Sequence, residues 1–250
     1  MATLGPARIS DLIGLIYDCA IEPSRWPHAL TEICRTLECM SGVILLLDLT
    51  NSRHRFAYTW GLGADWARRY FEHSNVLTSF YNAAFSRNIC TDGEPLLLSH
   101  LMERIGPNRY IYDQWTEPQG VSEMIQTVVL RQARRLAVFG ANRHKSAGVI
   151  TPGQLEIIRL LVPHIRRAVT IIDILDVKNI EIATLAATLD TFKAGILVVA
   201  DGARILHANG SARDMLAKRA PIAAVNGALS VRDTQARGGS KRSTNAIRSA

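Results

Sequence analysis

Long apolar runs are missing from this 250-residue chain: the longest, Gly42-Val-Ile-Leu-Leu-Leu47, falls far short of the roughly 20 residues a membrane-spanning helix requires. Met1 to Pro6 carries no basic cluster ahead of an apolar stretch, so no secretory signal is read and a cytoplasmic protein without membrane contact is expected. Cysteine is sparse. The four present, Cys19, Cys34, Cys39 and Cys90, include no Cys-x-x-Cys pair and no zinc-ligand spacing, and are expected to serve as small buried hydrophobes. Walker loop, Gly-x-Ser-x-Gly elbow and His-Glu-x-x-His are all absent, and Gly61-x-Gly63 lacks the third glycine of a dinucleotide site. His164 has no acidic neighbour of the kind a phosphoacceptor histidine keeps. No catalytic residue, metal or cofactor is therefore expected, and the chain is read as a non-enzyme. Acidic residues are outnumbered 22 to 29 by Lys and Arg, but part of the +7 balance sits in Arg232, Arg237, Lys241, Arg242 and Arg248, a basic tail that argues only weakly for nucleic acid.

What remains is a chain that is 48% hydrophobic, enough for a substantial core. Leu12, Ile13, Ile16, Cys19 and Ala20 recur at helical spacing behind a candidate N-cap, Ser10. A second helix is predicted after Ser24, with Trp26, Leu30, Ile33 and Leu37 on one stripe and Pro27 in its first turn. Gly42 to Leu49 reads as a strand buried on both faces, and Phe56 to Trp60 as its hairpin partner, followed by a helix near Ala64 to His73. Residues 75–120 are interrupted by Pro95, Pro107 and Pro118 and read as an irregular cover over a pocket. Val121 to Arg131 and Arg135 to Asn142 form a further predicted hairpin. This order predicts an α+β domain over residues 1–150 with one antiparallel sheet.

Residues 151–192 predict one long helix. Thr151-Pro152-Gly153-Gln154 is a capping box. A heptad follows, with Ile158, Ile165, Ile172, Asn179 and Ala186 at a and Leu161, Ala168, Leu175, Ile182 and Leu189 at d. Ile at a and Leu at d favour a parallel two-stranded coil, and an Asn at a fixes register, so these positions are the expected interface of a homodimer. Pro163 falls on the outward side. The competing reading lays the first half of the helix on its own domain's sheet, since Val162, Val169 and Ile171 broaden the apolar face.

Beyond the helix, residues 195–208 hold two short β runs around Asp201-Gly202, Asn209 caps a helix through Ala212, Met215 and Leu216, and Gly227 to Val231 reads as another strand. This succession resembles the opening of a PAS domain, incomplete over 193–231 and followed by a basic, disordered-type tail at 232–250. Ile16-Tyr-Asp-Cys-Ala20, Pro23-Ser-Arg-Trp-Pro27 and Leu160-Leu-Val-Pro-His-Ile-Arg-Arg-Ala168, together with the PAS-like start, resemble the N-terminal sensory part of LuxR-type helix-turn-helix regulators from soil α-proteobacteria. The resemblance implies a GAF-like sensor domain, a signalling helix and a partial PAS-like domain. It also implies DNA binding only through a helix-turn-helix that is not read in this chain.

Trp60, Trp66, Tyr70, Tyr81, Tyr110, Tyr112 and Trp115 gather in or beside the irregular middle, where aromatic faces with polar tips suit a ligand cavity or simply fill the core. Trp66-Ala-Arg-Arg-Tyr70 resembles the Trp-x-x-x-Tyr of acyl-homoserine-lactone-binding domains, but Ser79-Phe80 stand where that family has Asp-Pro, which argues against a lactone and leaves a pocket in the same place. The expected function is a regulator's sensory and dimerisation module for a small molecule. The alternative is an interaction and dimerisation module without a ligand, or a decayed regulator fragment.

Overall fold

The computed structural model describes residues 5–51, 53–72, 83–84, 86–87, 89, 91–106 and 112–231. Helix α1 (Pro6–Ile21) buries Leu12, Ile16, Cys19 and Ala20. It begins a turn before Ser10 because Pro6 takes the first helical position, where a missing N–H is no loss, with Gly5 at the N-cap. Helix α2 (Trp26–Thr36) buries Trp26, Ala29, Leu30, Ile33 and Cys34 along the predicted stripe.

Strands β1 (Ser41–Asp48), β2 (Arg53–Trp60), β3 (Leu96–Leu97), β4 (Val121–Gln132) and β5 (Arg135–His144) form one antiparallel five-stranded sheet in the order β2-β1-β5-β4-β3. β1 is buried from Ser41 to Leu47, as its uninterrupted apolar run requires. Gly61 ends β2 at φ +72°, where a Cβ would stand 2.2 Å from the Met40 carbonyl oxygen. Helix α3 (Ala64–Glu72) follows β2, and α4 (Leu98–Ile105) follows β3.

One face of the sheet, through Ile44, Leu46, Ile125, Val129, Ala137, Phe139 and Ala141, shares a continuous core with α1, α2 and the start of helix α5 (Pro152–Asp190). The capping box forms: the Gln154 amide donates to Thr151 Oγ1 at 3.3 Å, and the Thr151 amide to Gln154 Oε1 at 2.9 Å. Ile158, Leu161, Ile165 and Ala168 are fully buried in this core and Ile172 is 7% exposed. These five positions, expected in a dimer seam, are therefore spent within the domain. Their spacing suits a sheet as well as a partner helix, and the sheet occupies them. Leu175 and Ile182 are 49% and 65% exposed, Asn179 is exposed and Leu189 half-buried.

The chain divides into two compact units, Met1–Leu175 and Asp176–Ala250, so the boundary falls inside α5. The second unit holds two separate hairpins, β6 (Leu197–Val199) with β7 (Ile205–Ala208) and β8 (Ile222–Val225) with β9 (Ala228–Val231), and helix α6 (Gly210–Lys218) between them. Asn209 is the N-cap of α6, its Oδ1 accepting from the Ala212 amide at 3.0 Å. The same oxygen accepts from Ile196 N, and Nδ2 donates to the carbonyls of Leu189 and Ala194. No helix among the described residues is long and apolar enough to cross a membrane.

Candidate ligand-binding face

Alternation along each strand sends every second side chain to the sheet face opposite the α1–α2–α5 core. Val43, Leu45 and Leu47 of β1, Val128 of β4, and Leu136 and Val138 of β5 form a separate buried cluster there, with Ala57, Phe71 and Trp115 packed on it. Trp115 also packs on a neighbouring cluster made by Ala84, Leu98, Leu101, Val121 and Met124. Gly140 lies in the cross-strand row with Val43 and Gln126. A Cβ on Gly140 would come within 3.1 Å of Val43 and 3.4 Å of the Gln126 amide, so the bare glycine lets those two side chains approach across β5.

Above this face stand two of the predicted aromatics. Trp66 of α3 and Trp115 meet edge to face with ring centres 5.6 Å apart, and the Arg69 guanidinium lies 5.1 Å from the Trp66 ring centre. Phe71, one helical turn on from Ala67, meets His54 of β2 edge to face at 5.0 Å. The His54 Nε2 is buried with no hydrogen-bond partner among the described residues, and burial lowers the pKa of its ring below the ordinary value. The arrangement is an apolar floor with aromatic edges and the polar groups Gln126 and His54 set into it.

Trp60 is not part of this group. Along β2, Phe56, Tyr58 and Trp60 alternate onto the opposite face, against the helix-packed core. Tyr70 and Tyr112 belong by backbone to α3 and to the turn at Tyr112–Thr116, whereas Tyr81 and Tyr110 lie outside the described residues. Cys19, Cys34 and Cys39 are buried free thiols; Cys90 lies outside the described residues. His164 stacks edge to face on Tyr17, its Nδ1 3.2 Å from the hydroxyl. No cluster of metal-ligating side chains occurs among the described residues.

Two charged side chains that sequence reading passed over organise the domain. Arg143 is 2% exposed and donates to the carbonyls of Leu37, Glu38, Ala147, Gly148 and Val149. It thereby joins the end of α2, the end of β5 and the loop leading to α5, while Gln154 Nε2 donates to the same Leu37 carbonyl at 3.0 Å. Asp173 of α5 is 5% exposed and pairs with both Arg55, Nε to Oδ1 at 3.4 Å, and Arg135. An Arg near the end of the β5 run and a lone Asp between Ile172 and Ile174 were the available signals.

No protein-family model matches the sequence, and no curated protein matches it. Among solved structures, the chain is similar to the VqsR LBD domain from Pseudomonas aeruginosa, at 14% identity and a TM-score of 0.49, over 67% of this chain and 96% of that one. It is also similar to Escherichia coli SdiA, at 13% identity and a TM-score of 0.47, over 65% of this chain and 68% of that one.

Proposed function

We propose that the chain is the sensory module of a bacterial transcriptional regulator of the LuxR kind, in which a small molecule binds the sheet face beneath Trp66 and Trp115. In this reading a GAF-like sensor spans 1–150, a signalling helix 151–192, a partial PAS-like domain 193–231 and a basic tail 232–250. The observation that carries it is the asymmetry of the sheet. One face is consumed by the core with α1, α2 and α5, while the other carries its own apolar cluster under a perpendicular tryptophan pair. Pairing with a second copy is assigned to the half of α5 that its own domain leaves uncovered, through Leu175, Asn179, Ile182 and Leu189. Ligand would act by favouring one packing above the sheet and so shifting the population of helix states.

A thermal-shift screen with small metabolites tests the ligand. A ligand at a hundred times its Kd contributes about 2.7 kcal/mol of stability, and the reading requires Trp115→Ala to abolish the shift. The exposure of Ile174, Leu175, Ile180, Ile182 and Leu185 favours one second reading, an interaction module that needs no ligand. It would stand if no metabolite raises the melting temperature and the chain still self-associates. Sedimentation at tens of micromolar addresses the pairing: a monomeric wild type overturns it.

A further inference from the structure

The β1–β2 ladder slips by one residue between Leu46 and Leu47, pairing Leu46 with Phe56 but Leu47 with His54, and Arg55 is the extra residue of this bulge. The extra residue puts two successive side chains, Arg55 and Phe56, on the helix-packed side and leaves His54 on the other. His54 meets Phe71 of α3 on the candidate ligand-binding face, and Arg55 reaches Asp173 of α5 at 3.4 Å on the other. Asp173 is also where α5 leaves the sheet: Ile172 and Asp173 are 7% and 5% exposed, whereas Ile174 and Leu175 are 54% and 49% exposed. Its second partner, Arg135, starts β5 and lies in register with Asp48 of β1. One helix, α3, thus carries both Trp66, which edges the face, and Phe71, which rests on the bulge.

We infer that the bulge at His54–Arg55 is a mechanical relay, through which a shift of α3 over the sheet loosens or tightens the Arg55–Asp173–Arg135 clamp and so sets how firmly α5 is held at its exit. The relay deepens the sensory reading, but its test requires no ligand. Packed cores respond in discrete steps, and a buried carboxylate between two guanidiniums tolerates little displacement before its pairing fails. Movement on the face therefore becomes a change in helix anchoring.

Amide hydrogen exchange of the full chain decides it. Phe71→Ala, with Phe71→Leu as the milder variant, should raise exchange of α5 residues around 170–177 by about threefold or more. In an Asp173→Asn background, where the clamp is already weakened, the same substitution should add nothing. Met102→Ala, on α4, serves as a control for general loss of stability and should leave that segment unchanged. An equal effect of Phe71→Ala with and without Asp173, or an equal effect of Met102→Ala, overturns the relay. Ligand binding to the face would be untouched by that failure, because the thermal-shift assay measures it separately.

Discussion

At the scale of single residues, Arg143 is a buried charge whose partners are five backbone carbonyls. Deleting the Arg143 side chain removes the donor shared by carbonyls at the end of α2 and in the loop before α5, and it leaves a cavity where a nearly fully buried guanidinium stood. Arg143→Ala should therefore destabilise the fold by about 3 kcal/mol or more in denaturant titration, with Arg143→Lys only partly restoring it because an ammonium lacks the planar fork. Burial pushes the Cys19 thiol from 9.0 up to about 12 and Cys39 up to about 11. Such thiols should not react with a disulfide reagent at neutral pH until the chain unfolds. The sign of the pH dependence follows: the unfolded chain loses these protons first, so the stability held below pH 9 is lost as pH rises from 9 towards 12. His54 and His164 act at the other end. Burial lowers both below 6.5, so the unfolded chain takes their protons first and stability falls as pH drops through 6.5. His54→Phe should flatten part of that acid limb; an unchanged melting curve there would show that the ring is solvated.

At the scale of elements, α5 is two helices in energetic terms. Ile165→Asp should unfold the domain, because it places a carboxylate in the core shared with α1, α2 and the sheet. Ile182→Asp should leave the melting of that domain unchanged and abolish only self-association, which sedimentation would report. Thr151→Ala should cost about 1 kcal/mol through the lost cap. Much of this architecture was legible from spacing: the paired strands, the cap at Thr151, the role of Asn209 and the burial of β1 all follow from local pattern. The fate of the heptad's first half was not, since a 3.5-residue apolar repeat reads alike whether a sheet or a second helix fills it, and only tertiary placement assigns Ile158 to Ile172 to the sheet. Trp60 was misplaced for a related reason. Its aromatic character drew it to Trp66, but strand alternation turns it with Phe56 and Tyr58 to the opposite side. Strand β8 escapes the sequence pattern, although Asn226-Gly227, both at positive φ, marks the turn that joins it to β9.

At the scale of the whole molecule, the two units differ in how much each encloses. The first gathers an extended core on both sides of its sheet, while among its described residues the second fully buries little beyond Asn209, Ala212 and Ala223. Local stability follows buried contact, so amides of β6 to β9 should exchange well before those of β1 and β5, and equal protection in the two would contradict that ranking. Asn209 gives this difference a chemical consequence. It precedes Gly210, and an asparagine followed by glycine is the pairing whose side chain most readily cyclises and hydrolyses to aspartate once the backbone is free to bend. In the folded state its amide nitrogen is held by the carbonyls of Leu189 and Ala194, which leaves cyclisation to moments of local opening. After conversion, an oxygen would face those carbonyls where a donor stood. That site would then age at a pace set by how often its amide lets go, later than the exposed Asn226-Gly227 turn.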